Sequence, residues 1–256
     1  MQMNTFGFQE IPEKSNKCAI VIPTYKKTYT ESEEFCIRQT FRILGDWDIF
    51  FATDADNADQ AIKTENIKPR YSLFSKKTFE SVKSYSNWLL TVEPYHRFCL
   101  YKKILICQSD ALIIEDQIEH WVNKDYDYIG APWHGLISIR PNYRSTMGFN
   151  NEEYKLFVGN GGLSMRDNKG ICSVLERNAD FISEFNENED GAFSFLGIID
   201  PVFKLAPYHD ACLFSLELRA AEIIEKTKKM PMGFHGLEKN NVNLWNLAQI
   251  SIGKIK

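Results

Sequence analysis

The chain has 256 residues, 44 % of them hydrophobic and 25 % charged, the make-up of an ordinary globular protein of one α/β domain or two small ones. Its formal net charge of −4 lacks the basic excess of a nucleic-acid binder, so no nucleic-acid partner is expected. The balance of apolar and charged residues also excludes disorder, collagen and coiled coil as descriptions of the whole chain.

No run approaches the roughly 18 apolar residues that span a bilayer, so no transmembrane segment is expected. The longest candidates, Ile104–Cys107 and Ala111–Ile114, are separated by Gln108, Ser109 and Asp110. The start of the chain, MQMNTFGFQEIPEKSNK, lacks the apolar core of a signal peptide. Six scattered cysteines without a CxxC pair read as free thiols in a reducing compartment, which points to the cytoplasm.

In chain order, CAIVIPTY (Cys18–Tyr25) is a continuous apolar run ending in Pro-Thr, the pattern of a strand buried on both faces. Thr30 and Glu33 have capping-box spacing at the head of a helix. Ile37, Phe41 and Leu44 share one face of it, and Gly45 marks its end. WDIFFATD (Trp47–Asp54) is a second strand. A helical pattern from Thr78 to about Val92 is expected to stop before Pro94. KKILICQSDALII reads as a third strand interrupted by Gln108–Asp110, EDQIEHWV as a short helix, and DYDYIGAPW as a further strand.

This alternation predicts an α/β fold with a mainly parallel sheet flanked by helices. Ligands of open α/β sheets bind outside the carboxyl ends of the strands. Pro23–Tyr25, Asp54–Asn57 and Gln108–Asp110 are therefore expected to converge on one crevice. The polar, irregular segment Ile139–Tyr154 reads as a mobile loop within the domain.

No GxGxxG or GxxxxGK[ST] follows the first strand, which argues against a dinucleotide site and a P-loop. Thr24 and Tyr25 stand there instead, suited to hydrogen-bonding and stacking a base. Diphosphate charge would then fall to a metal held by carboxylates. Asp110, at a strand end, is either such a ligand or an Asx turn. His235, between Gly233 and Gly236, is a second ligand candidate or part of a surface turn, and Lys239 lies close enough in sequence to meet a phosphate.

Gly159, Gly161 and Gly162 in FVGNGGLSMR mark either a bulge or a close ligand approach. Asp190, in NENEDGAFSFLG, is either part of a solvated acidic cluster or a general base. An inverting glycosyl transfer needs such a carboxylate to take the acceptor's proton.

The segments VIPTY, ILICQSDALI, YDYIGAPW, VGNGGLSMR, NEDGAFS, FSLE and PMGFHG, in this order, resemble the GT-A class of nucleotide-sugar glycosyltransferases. More narrowly, they resemble a family long carried as a domain of unknown function. The resemblance implies a single GT-A-like domain over 18–240, with a nucleotide-binding part at about 18–115 and an acceptor part at about 116–240. An N-terminal extension (1–17) and a C-terminal tail (241–256) would flank it.

It also implies roles for individual residues. Pro23, Thr24 and Tyr25 border the base pocket, and Asp54, Ser109 and Lys239 join the nucleotide-sugar site. Gln108-Ser109-Asp110 takes the place of the DxD motif, and Gly161 and Gly162 line the donor–acceptor junction. Glu189 and Asp190 form the catalytic acidic pair, with Asp190 as base, and His235 completes a metal site with Asp110. The implied metal is Mn2+ or Mg2+, weakened by Gln108 in place of the first aspartate.

The implied donor is a nucleotide diphosphate sugar, UDP-linked, and the acceptor a glycan or glycolipid of polysaccharide biosynthesis. Lys14, Lys17, Lys26 and Lys27 could give peripheral contact with the inner face of a membrane or simply form a solvated face. A sugar-nucleotidyltransferase would also use a parallel sheet and a metal, but it usually opens with a glycine-rich phosphate loop. A non-catalytic binding module with a degenerate DxD motif is the third alternative.

Overall fold

A computed structural model describes residues 17–26, 28–58, 70–139 and 153–246. The expected loop core (140–152), the N-terminal extension up to 16 and the end of the tail from 247 lie outside these described residues.

The apolar run at the start becomes β1 (Cys18–Pro23), buried along its whole length. Helix α1 (Glu31–Leu44) follows, opened by the expected capping box: Thr30 Oγ1 accepts from Glu33 N, and Glu33 Oε2 accepts from Thr30 N at 3.0 Å. Next come β2 (Asp48–Thr53) and β3 (Arg70–Leu73). The helical stretch after Thr78 is broken into a 3-10 turn at Lys76–Phe79, helix α2 (Val82–Leu89) and helix α3 (Glu93–Arg97). Pro94 does not end a helix as expected. It sits in the first turn of α3, where its missing N–H costs nothing.

The third strand also differs from expectation. Ala111 N bonds back to Gln108 O at 2.9 Å, and this turn splits it into β4 (Lys103–Cys107) and β5 (Ala111–Ile113). The two then join different sheets. After α4 (Ile118–Val122) come two long strands, β6 (Tyr128–Ile139) and β7 (Tyr154–Asp167). The glycine cluster lies inside β7, close to register shifts in its pairing with β6. Helices α5 (Asn168–Arg177), α6 (Ala179–Glu184), α7 (Glu189–Ile199) and α8 (Tyr208–Phe214) lead to β8 (Ser215–Leu216). Helix α9 (Ala220–Thr227), β9 (Gly233–His235) and α10 (Leu237–Asn240) complete the named elements.

Among the described residues the main sheet runs β3-β2-β1-β4-β7-β6. Its first four strands are parallel, whereas β7 and β6 run antiparallel. Successive residues of β1 and β4 alternate between two cores. Ala19, Val21, Ile104 and Ile106 pack with the α2, α3, α5 and α7 side. Ile20, Ile22, Leu105 and Cys107 pack with the α1, α4 and α8 side. Burial on both faces is what makes these strands read as unbroken apolar runs. The small sheet, β5-β9-β8, lies beyond the carboxyl end of β4. Residues 242–246 are helical, and Trp245 packs edge-on against Phe35 of α1 with ring centroids 5.6 Å apart.

Candidate active site

Three chain segments meet past the carboxyl end of β4. Gln108 N bonds to Gly162 O at 2.9 Å, which ties the β4–β5 turn to the glycines of β7. The register of β5 and β9 pairs Ala111 with His235. Gly236 N then bonds to Asp110 O at 3.2 Å, so β9 carries its histidine to the same turn.

The result is a cluster of polar side chains. His235 Nε2 lies 3.2 Å from Asp110 Oδ1 and 3.2 Å from Gln108 Oε1. His235 Nδ1 lies 3.4 Å from Glu217 Oε1, and Lys239 Nζ donates to Asp110 Oδ2 at 2.8 Å. Burial opposes the charged imidazole, but the carboxylates of Asp110 and Glu217 outweigh it and raise the histidine to about 9. Burial likewise works against the Asp110 carboxylate, and His235 and Lys239 hold it well below the usual range.

Among the described residues no group of three or more His, Cys, Asp and Glu side chains is arranged to hold a metal. With the Gln108 amide oxygen counted, a donor set does fit. Donors at right angles around an ion bound at roughly 2.1 Å lie about 3 Å apart, close to the spacings of Gln108 Oε1 and Asp110 Oδ1 from His235 Nε2. Glu217 lies behind Nδ1, where a carboxylate fixes the orientation of the imidazole. Sequence reasoning did not single out Glu217 as a site residue, although its segment FSLE is one of the matching pieces.

This cluster forms one wall of a cleft of about 460 Å³. Pro23, Tyr25, Gln108, Ser109, Asp110, His235 and Lys239 all line it, as do Glu33, Lys26, Phe79 and Tyr85. Tyr25 stands 52 % exposed, with Lys26 Nζ 5.6 Å from its ring centre. Ser109 Oγ donates to Glu33 Oε1 at 2.8 Å, and Lys26 pairs with the same carboxylate, so the helix cap of α1 also braces the turn.

Thr24 and Asp54 do not join the cleft wall. Thr24 is buried, with its hydroxyl on Ile22 O. Asp54 is buried too, and its carboxylate accepts from Asp56 N, Asn57 N and Asn57 Nδ2, the local turn pattern of an aspartate.

On the far side of Gly161–Gly162 lies a second carboxylate pair. Glu189 begins α7 fully engaged: Arg166 donates to Oε1 at 3.0 Å and Ser86 Oγ to Oε2 at 2.8 Å. Arg166 has no exposed surface and also donates to Ser164 Oγ and Tyr95 Oη. Its guanidinium lies 5.2 Å from the Tyr128 ring centre and 5.4 Å from that of Phe193. Asp190 is half-buried and, among the described residues, accepts only from backbone, Gly191 N at 2.8 Å and Gly161 N at 3.4 Å. Burial, then the neighbouring Glu189 charge, lift the Asp190 carboxyl to about 7, and the two backbone bonds and Arg166 offset part of this. Two carboxylates adjacent in sequence thus have different surroundings: Glu189 is neutralised by an arginine, and Asp190 has an acidity suited to proton transfer near neutrality.

The glycine pair makes both clusters fit. A Cβ on Gly161 would come within 2.7 Å of Glu189 Oε1 and 3.1 Å of an Arg166 nitrogen, and one on Gly162 within 2.1 Å of His235 Nε2. Of the two meanings the sequence left open for these glycines, the close approach here is to the protein's own side chains.

An open α/β sheet with parallel strands, an antiparallel edge pair and polar clusters beyond its strand ends has the GT-A fold of nucleotide-sugar glycosyltransferases. The galactosyltransferase LgtC, solved in complex with donor and acceptor sugar analogues, superimposes with a TM-score of 0.52 at 14 % identity, over 85 % of this chain and 86 % of that one. The bifunctional glycosyltransferase WbbM superimposes with a TM-score of 0.50 at 12 % identity, over 90 % of this chain and 47 % of that one. At these identities the likeness is one of fold. Residues 68–235 match the family described as "Protein of unknown function (DUF5672)", and the chain belongs to that family. No curated protein sequence is significantly similar to the chain.

Proposed function

We propose that this protein is a glycosyltransferase that moves a sugar from a nucleotide diphosphate sugar to a glycan or glycolipid hydroxyl, with inversion, and that Asp190 is the general base. The observation that carries the proposal is the position of the glycine pair. It separates a cleft lined by Lys26, Gln108, Asp110, His235 and Lys239 from a half-buried aspartate whose carboxyl burial raises to about 7.

The base would lie against the exposed Tyr25 ring. The diphosphate would lie toward Lys26 and Lys239, the cationic lysines of the cleft. A divalent cation, manganese or magnesium, would be held by Asp110, His235 and the Gln108 amide oxygen, and would neutralise the leaving diphosphate. Gln108 brings no charge, so its affinity would be modest. His235 would bind the cation as the neutral imidazole and give up a proton on doing so.

In the transfer, the acceptor oxygen forms a bond to the anomeric carbon on the face opposite the diphosphate. The bond from that carbon to the phosphate oxygen breaks and its electron pair leaves with the nucleoside diphosphate. The acceptor proton goes to an Asp190 carboxylate oxygen. Glu189 does not take it, because both its oxygens are held by Arg166 and Ser86. Its part is to raise the proton affinity of its neighbour and anchor the start of α7.

A thermal-shift panel tests this reading. At least one of UDP, GDP, ADP and CDP is expected to raise the melting temperature, and manganese is expected to enlarge the rise, since a ligand of the native state alone stabilises it. A panel in which no nucleoside diphosphate shifts the melting temperature overturns the proposal.

A further inference from the structure

Tyr85 has a polar atom with nothing to do. It is on α2, its ring lies 5.8 Å from that of Trp88 and is tilted 37° to it, and it lines the cleft together with Tyr25. Its hydroxyl is buried and has no partner at normal hydrogen-bond distance among the described residues, the Gln108 amide being the side chain that faces it. The groups nearest to it in effect are the Glu189 carboxylate, the Arg166 guanidinium and the Gln108 amide, and burial pushes the phenol far above its ordinary range, so it stays a donor at any working pH. Its neighbour Ser86 is fixed in the Glu189 cluster from both sides, donating to Glu189 Oε2 at 2.8 Å and accepting from Glu189 N at 2.6 Å. The hydroxyl is therefore held between the Gln108 turn and the support of Asp190.

We propose that the Tyr85 hydroxyl hydrogen-bonds a hydroxyl of the transferred sugar and so helps decide which donor sugar is accepted. The inference rests on the donor reading above and adds the sugar subsite to it. A buried hydroxyl left unpaired costs free energy, and a partner supplied by a ligand recovers it. The other parts of a donor have better places: the base at Tyr25, and the diphosphate beside Lys26 and Lys239. Between that end and Asp190 only the sugar remains. A sugar hydroxyl both gives and accepts a hydrogen bond, as the phenol does, and can also reach the Gln108 amide.

The test is Tyr85→Phe, which keeps the ring and its contact with Trp88. Because the hydroxyl has no partner at normal hydrogen-bond distance among the described residues, the variant's melting temperature without ligand should equal or exceed that of the parent. Calorimetry with UDP, GDP, ADP and CDP and with their glucose and galactose esters then separates the cases. The variant should bind the preferred nucleoside diphosphate as the parent does. It should lose roughly three- to tenfold affinity for the preferred nucleotide sugar, the worth of one neutral hydrogen bond. Equal loss for nucleotide and nucleotide sugar, no loss for either, or a lowered melting temperature overturns the Tyr85 assignment and leaves the donor reading standing. If the parent protein binds no nucleotide at all, the donor reading fails and takes this inference with it.

Discussion

Gly162 lies so close to the His235 imidazole that a Cβ would reach within 2.1 Å of Nε2. The neighbour is a ring held by Asp110 and Glu217, and it has little room to retreat. Gly162→Ala should displace the imidazole, lower stability by about 1–3 kcal/mol as overpacking commonly does, and abolish any manganese-dependent gain in nucleotide binding. Thermal melts with and without nucleotide and manganese check both parts. An alanine variant with parental stability and parental manganese response would mean that the ring moves freely.

Asp190→Asn keeps shape but cannot take a proton. Turnover should fall by roughly two to four orders of magnitude while donor affinity holds. In the parent, turnover should rise with pH around a midpoint of about 7, because the base acts unprotonated. Stability moves the other way. The folded-state pKa lies above the unfolded value, so the advantage of the protonated form is present below about pH 4 and is lost as pH rises through about 7. The asparagine variant should therefore gain stability relative to the parent most clearly at pH 8, as urea titrations at pH 4 and pH 8 would measure.

Arg166 and Glu189 are a buried pair whose members are costly to separate. Arg166→Met should destabilise the protein by about 3–5 kcal/mol, because Glu189 is left charged in the interior. The double variant Arg166→Met with Glu189→Gln should recover part of that loss. Chemical denaturation of the three proteins reads the result, and equal stability of parent and Arg166→Met would show that water reaches Glu189.

His235→Ala should cost more in manganese-dependent binding than in fold. Its effect on stability depends on pH with a definite sign. The histidine's folded pKa, about 9, lies above its ordinary value. Its stabilising contribution is therefore complete below about pH 6.5 and is lost as pH rises through about 9. The alanine variant should be less stable than the parent at pH 6 and nearly equal to it at pH 10. Asp110→Asn should remove the manganese response through loss of the anionic donor. Unchanged nucleotide affinity in manganese, measured by calorimetry, would show that Asp110 is not a ligand.

Strands buried on both faces, such as β1 and β2, are legible because their apolar runs have no other use. The Thr30–Glu33 cap is legible because its partners are three residues apart. The break between β4 and β5 is less so, since Gln108–Asp110 reads equally as a polar interruption and as the turn it forms. The split of the helical stretch around Ser81 and the role of Pro94 turn on local hydrogen bonds that periodicity does not register. The meeting of Asp110 with His235 depends on strand pairing between β5 and β9, which no local pattern encodes. The family resemblance is what points to it. Arg166, Ser86, Tyr85 and Glu217 went unnamed as site residues because an arginine in a strand, or a tyrosine and a serine in a helix, look like solvated residues until the fold buries them. Asp54 shows the reverse case, an acidic residue at a strand end whose carboxylate serves its own turn.

In the proposed mechanism Asp190 removes the acceptor proton during transfer from a nucleotide sugar. Release of nucleoside diphosphate from a panel of nucleotide sugars, followed for the parent and for Asp190→Asn with a mixed glycan and glycolipid acceptor pool, tests it most directly. One donor should be consumed by the parent, with inversion at the anomeric carbon seen by NMR, and the variant should bind this donor equally well but release nucleotide at least about a hundredfold more slowly. Release at similar rates by the two proteins, or a product of retained configuration, would contradict it.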